Sequence, residues 1–123
     1  MARREVSVDL EKLARHQHPR PPQHELRGHR VLDSGNREYG DVAGLYVDRD
    51  ERKLRYLHVI TTGFLGLGRK HYLIPFEDVD TETPGMVKLR HDQETIESSP
   101  TFDPHTLPTE DYQRDIREHY SYG

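Results

Sequence analysis

The feature that most constrains this chain is a glycine-spaced apolar hexad, Gly63-Phe64-Leu65-Gly66-Leu67-Gly68, set between two runs of β-favouring residues. Three glycines in six positions exclude a helix, because each adds backbone entropy that a helix must remove. An exposed turn has no need of Phe64, Leu65 and Leu67, so the loop is expected to be buried or covered. Before it, Lys53 to Thr61 carries Tyr56, Leu57, Val59 and Ile60, all favoured in sheets, with both strand faces partly apolar. After it, Lys70 to Ile74 reads as a strand that ends at Pro75, which has no amide proton for a ladder.

The same punctuation extends to either side. Gly28 to Asp33 reads as a first strand, with Ser34-Gly35-Asn36 as the turn. Gly40 to Asp48 reads as the next, where Val42, Leu45 and Val47 are apolar and Gly44 breaks strict alternation, the mark of a bulge or bend. Asp48 to Arg52 is a charged hairpin loop. Phe76 to Asp80 turns the chain, Thr81 to Gly85 is a polar connection, and Met86 to Arg90 is a last strand with Val87 and Leu89 on one face. Short strands separated by glycine and aspartate predict a mainly β fold, a small antiparallel β-barrel of five to six strands.

The stretch Arg55 to Phe76 resembles the signature of PRC-barrel proteins, in which a strand leads into a Gly-Phe-Leu-Gly-x-Gly loop and a following strand ends in Pro-Trp or Pro-Phe. Gly63, Phe64, Leu65, Gly66, Gly68, Pro75 and Phe76 carry that motif. Leu26 to Asp33 with Gly40-Asp41-Val42 is similar to the family's opening strands, so the resemblance covers about residues 26 to 91. Phe76 stands where many relatives have Trp and keeps an aromatic plug. The resemblance implies a barrel of about six strands, as in the photosynthetic reaction centre H subunit and the C-terminal half of a ribosome maturation factor, and it implies adaptor roles. The chain is expected to have neither the transmembrane helix of the first nor the N-terminal domain of the second, which leaves fold and protein–protein contact as what carries over.

The predicted organisation is a flexible arm and Pro/His-rich linker over 1–25, the barrel over 26–91, a polar connection over 92–108 and an amphipathic helix over 109–123. Within the arm, Ser7 suits the cap of a short helix with Val8, Leu10, Leu13 and Ala14 on one face. At the other end Pro100, Pro104 and Pro108 exclude a long helix before residue 109. Thr109 is a good cap for a helix whose Tyr112, Ile116 and Tyr120 share a face, with Tyr122 beyond. That stripe suits a partner interface or the open end of its own barrel, and a thin core favours the second.

Composition narrows function by exclusion. The formal charge of −4, with basic residues interleaved among acidic ones, argues against nucleic acid as a partner. There is no cysteine, hence no thiol site or disulfide, and the polar start Met1 to Pro22 predicts no signal peptide or membrane span, so the expected location is cytoplasmic. Gly63 to Lys70 fails as a phosphate loop, since Arg69 replaces the lysine, no Ser or Thr follows Lys70 and a strand comes next. Nine histidines are present, but without a His-x-x-x-His helix or a nearby carboxylate pair no metal or other cofactor is expected. His58 and His71 are instead expected as hydrogen-bonded neighbours across a hairpin. Glu77, Asp78 and Asp80 cluster in a turn that is expected to leave them solvated, which excludes a catalytic role for them.

The resulting expectation is a non-enzymatic PRC-barrel binding or scaffold module that contacts itself, as a homodimer, and a further protein. Its candidate interface is Phe64, Leu65, Leu67, Tyr112, Ile116 and Tyr120. An RNA- or ribosome-associated assembly factor is the alternative, and a metal- or ligand-responsive sensor using the histidines is a third.

Overall fold

The computed structural model describes residues 9–62 and 68–121. Seven strands form one curled sheet: β1 (Leu10–Lys12), β2 (Arg30–Leu32), β3 (Glu38–Asp48), β4 (Leu54–Thr61), β5 (His71–Pro75), β6 (Val79–Thr83) and β7 (Met86–Leu89). The helices α1 (Gln93–Glu97) and α2 (Glu110–Ser121) follow. The sheet order is β5-β4-β3-β2-β7-β6, and β1 lies on β3 as well. Every pairing is antiparallel except β2 with β7.

The organising element is β3. Along one edge it pairs with β4 from Gly40 to Val47. Along the other, its first half pairs with β2 and its last three residues with β1. Two pairings on one edge require a bent strand, and the ladder to β4 slips at Ala43 and again after Tyr46. Such bulges raise local twist and curl a sheet. The break expected at Gly44 is therefore real, with Ala43 as the exposed extra residue. Gly40 has a separate reason to be glycine: a Cβ there would lie 2.2 Å from the Ile60 carbonyl oxygen.

Turn chemistry matches the sequence where side chains act locally. Asp33 Oδ1 accepts from the amides of Gly35 and Arg37, both at 2.9 Å, and Asn36 adopts φ +66°. Asp33 Oδ2 also accepts from the Gln93 amide at 3.3 Å, which ties this turn to α1. Asp92 caps α1 through the Thr95 amide, and Thr109 caps α2 as expected, its hydroxyl accepting from the Tyr112 amide at 3.0 Å.

Two local expectations give way to tertiary structure. The short helix expected over residues 8–14 is instead β1, with Leu10 and Leu13 buried; the proposed cap, Ser7, lies outside the described residues. A helix so short has little stability of its own, whereas the free edge of β3 offers a ladder, and the Leu13 amide donates to the Leu45 carbonyl at 2.9 Å. Residues 9–25, expected as arm and linker, thus run along the barrel. Second, the polar connection expected at Thr81 to Gly85 belongs to β6, an exposed edge strand with no apolar alternation to betray it, although the Pro84-Gly85 turn with Gly85 at φ +83° marks a tight hairpin. Within the polar connection, the short helix α1 buries Ile96 and, at five residues, leaves the exclusion of a long helix before residue 109 intact.

One core unites these parts. Leu10, Leu13, Leu26, Val31, Leu45, Leu57, Leu73, Ile74, Val87, Leu89, Ile96, Phe102, Ile116 and Tyr120 all belong to it, so arm, sheet and both helices share one interior. Replacing Ile116 by Ala is expected to cost about 3 kcal/mol in urea unfolding, the usual range for emptying a fully buried aliphatic site. Replacing Gly40 by Ala is expected to cost at least as much, about 3 kcal/mol or more, because backbone blocks the added methyl.

Candidate functional site

The signature motif occupies the β4–β5 hairpin. Pro75 ends β5 as expected and Phe76 opens a single 3-10 turn, Phe76–Asp78. The Phe76 ring sits partly buried against the core and contacts the His24 ring at 4.6 Å, so the linker is pinned to the motif. Gly68, at φ +78°, has a backbone conformation that favours glycine. Gly63, Phe64, Leu65, Gly66 and Leu67 lie outside the described residues. The chain on either side of them is exposed, at Thr62 and at Gly68 to Lys70.

Below the loop, the hairpin carries an imidazole pair. Ile60 lies opposite His71, and His58 reaches diagonally across to place its Nε2 2.8 Å from His71 Nδ1. The two rings stack with centroids 5.0 Å apart. These histidines are neighbours across a hairpin, as expected. Gly44 lies opposite His58 on β3 and leaves room for the ring, since even a methyl there would sit 3.7 Å from His58 Nδ1. Phe102 covers the pair edge-on, 5.3 Å from the His58 ring, and its amide donates to the His71 carbonyl at 2.9 Å. Tyr46 and Tyr112 pack on Phe102 in turn. Sequence reasoning missed Phe102 because it stands alone in a polar, proline-spaced run, where no periodicity points to burial.

His58 is 4% exposed. Burial, the His71 ring and Lys12 together push its imidazolium down to about 4. His58 is accordingly neutral at physiological pH, and of the two facing ring nitrogens one donates and the other accepts.

The second cluster lies where the turn after β5 meets the end of β7. Asp78 is 1% exposed, and its Oδ1 lies 2.8 Å from His91 Nε2. Glu77 and Asp80 are exposed as expected, but for Asp78 the expectation of a solvated carboxylate is corrected: the 3-10 turn aims it inward under α2, where His91 satisfies it. The Tyr120 ring packs on His91 at 4.8 Å. Ser34, Asp78, Arg90, His91, Asp92, Thr95 and Tyr120 line a cavity of about 460 Å³. The Ser34 amide donates to the His91 carbonyl, and among the described residues no hydrogen bond joins the Ser34 hydroxyl to the His91 ring. The pair works as a tie between the barrel edge and the helices.

The helix stripe turns inward. Ile116 and Tyr120 are buried in the chain's own core, and Tyr112 is partly buried against it, its hydroxyl donating to the Pro100 carbonyl at 3.1 Å. On the adjoining face, Arg117 Nη1 donates to the Tyr56 hydroxyl at 3.2 Å. Of the expected interface residues, these three therefore cover their own barrel, because the half-closed sheet has apolar surface that only α2 reaches. The other three, Phe64, Leu65 and Leu67, lie outside the described residues.

Among the described residues no three His, Asp or Glu side chains gather in a metal-binding arrangement, and no helix is long and apolar enough to cross a membrane. A curled sheet of short strands with a helix over one side defines a small β-barrel module. A sequence model of the PRC-barrel domain matches residues 22–88, and the chain belongs to that family. No curated protein matches the chain.

The imidazole pair makes stability depend on pH in a defined window. His58 is depressed in the folded chain, so between its unfolded value near 6.5 and about 4 only the unfolded chain takes up the proton. Stability is complete above about pH 6.5 and falls as the pH drops towards 4. Urea unfolding at pH 7 and pH 4.5 is expected to show wild type losing on the order of 2 to 3 kcal/mol more than His58→Gln over that interval.

Proposed function

We propose that this protein is a non-enzymatic binding or scaffold module that acts through protein–protein contacts, as a homodimer and with a further protein, and that the Phe64-Leu65-Leu67 loop is its contact surface. The observation that carries this reading is the exposure of the flanking chain at Thr62 and at Gly68 to Lys70, on either side of a segment whose sequence holds three bulky apolar side chains in five positions. A second chain that covered those side chains would remove them from water at roughly 1.5 to 3 kcal/mol each. Membership of the PRC-barrel family supports a module without chemistry of its own. So does the use of Asp78 and His91 as a structural tie rather than as a base aimed at a nucleophile.

Sedimentation and differential scanning of the full chain test the proposal together. Replacing Phe64, Leu65 and Leu67 by Ser is expected to convert a dimer into a monomer while Tm stays close to that of wild type. A wild type that stays monomeric at all concentrations, or a triple variant that associates as wild type does, overturns it. A large fall in Tm also counts against it, because the loop would then belong to the chain's own core.

A further inference from the structure

The Pro/His-rich segment before the barrel forms one wall of a second depression, of about 530 Å³, on the side of the molecule where residues 16–22 meet the β3–β4 turn. Its lining is His16, Gln17, His18, Pro19, Arg20, Pro22 and Arg52, with no carboxylate among them. That is a selective arrangement in a chain whose formal charge is −4. Six of the twelve arginines among the described residues face an acid: Arg27 with Glu25, Arg30 with Glu38, Arg49 with Asp9, Arg69 with Asp41, Arg90 with Asp80, and Arg114 with Asp111. Arg20 and Arg52 have no such partner among the described residues, and they converge here.

The depression is held by backbone. The Arg20 amide donates to the Arg52 carbonyl at 3.0 Å, and Arg20 forms a bridge with Lys53. On the other side, the Arg27 guanidinium donates to the carbonyls of Ala14 and Gln17 and to Glu25, which it holds down at about 2. Glu25 stands at the rim, 3.2 Å from His18 Nδ1, and its charge is balanced by Arg27. In the facing turn, Asp48 Oδ1 is taken by the amides of Asp50 and Glu51, and Glu51 pairs with Lys53.

Arg52 itself has φ +60°, a conformation that costs a long side chain energy and suits Gly or Asn. An arginine at such a position weakens the turn, and the residue that would strengthen it would remove the guanidinium from the depression. An unfavourable backbone held at the mouth of a concave, cationic surface points to a ligand.

We propose that this depression binds an oxyanion, the phosphate group of a small phosphorylated molecule, with Arg20 and Arg52 as the paired guanidinium donors and His16 and His18 closing the charge around it. The planar guanidinium fork donates two hydrogen bonds to two oxygens of one phosphate, and Arg20 and Arg52, which both line the depression, are held side by side by the backbone bond that joins their loops. The inference is independent of the loop contact proposed above and lies outside the residues of that loop.

The test is a titration of the ¹⁵N-labelled full chain with inorganic phosphate and with pyrophosphate at constant ionic strength, with chloride as the control salt. Saturable shifts of the amides of His18, Arg20 and Arg52 are expected with both probes and not with chloride. Arg52→Gly is expected to weaken phosphate binding at least ~10-fold while raising Tm by a few degrees, since glycine relieves the left-handed turn. Arg20→Gln is expected to weaken binding similarly with Tm unchanged. Linear shifts that chloride reproduces, or an Arg52→Gly chain that binds phosphate as wild type does, overturn the proposal.

Discussion

The structure depends on one strand serving three neighbours. β3 lies against β4 along one edge and against β2 and then β1 along the other, and a flat strand cannot do this. Two ladder slips bend it, and Gly40 lets its first half approach the β4 backbone to a distance that excludes a side chain. Everything that makes the fold a single body follows from that bend. The arm finds a ladder at Tyr46–Asp48, the sheet curls around one interior, and the open side is left to α2.

That geometry also decides where polar groups are buried. His58 faces β3 at Gly44, where even an added Cβ would only touch the ring at 3.7 Å, and His71 and Phe102 satisfy and cover it. Asp78 enters from the opposite end of the hairpin and is met by His91 from β7's end. Each is a buried polar group paired on arrival, as burial requires. Phe102 packs on the first pair and Tyr120 on the second, so both meet the polar C-terminal third, which is also tied by the Gln93–Asp33 and Arg117–Tyr56 hydrogen bonds. The stability of the module is therefore shared between apolar burial and two imidazole-containing ties of different kinds, one imidazole to imidazole and one imidazole to carboxylate.

Function divides along the same lines. Side chains that the sequence pattern made conspicuous at the helix, Ile116 and Tyr120, are used internally, whereas the chain beyond the ends of β4 and β5, at Thr62 and at Gly68 to Lys70, is exposed. The Pro/His-rich segment has the composition of a spacer, but Arg27 and the Arg20–Arg52 backbone bond make it a wall. A segment of that composition becomes ordered when neighbouring strands supply what it cannot supply for itself.

Much of the fold was legible from residues alone. The strands at 54–61, 71–75 and 86–89, the bulge beside Gly44, the Asp33 turn, the Thr109 cap and the His58–His71 contact all follow from local rules: pleat period, turn preference, cap chemistry and hairpin geometry. The signature from Gly63 to Phe76 carried the family as well. What residues alone did not determine were β1, β6 and Asp78's burial. β1 is a strand because β3 has an edge to give, β6 because β7 does, and Asp78 is buried because α2 arrives over it. Local chemistry sets what a segment can form by itself; which of several near-equal options a weak segment takes is settled by the partner that tertiary structure brings to it.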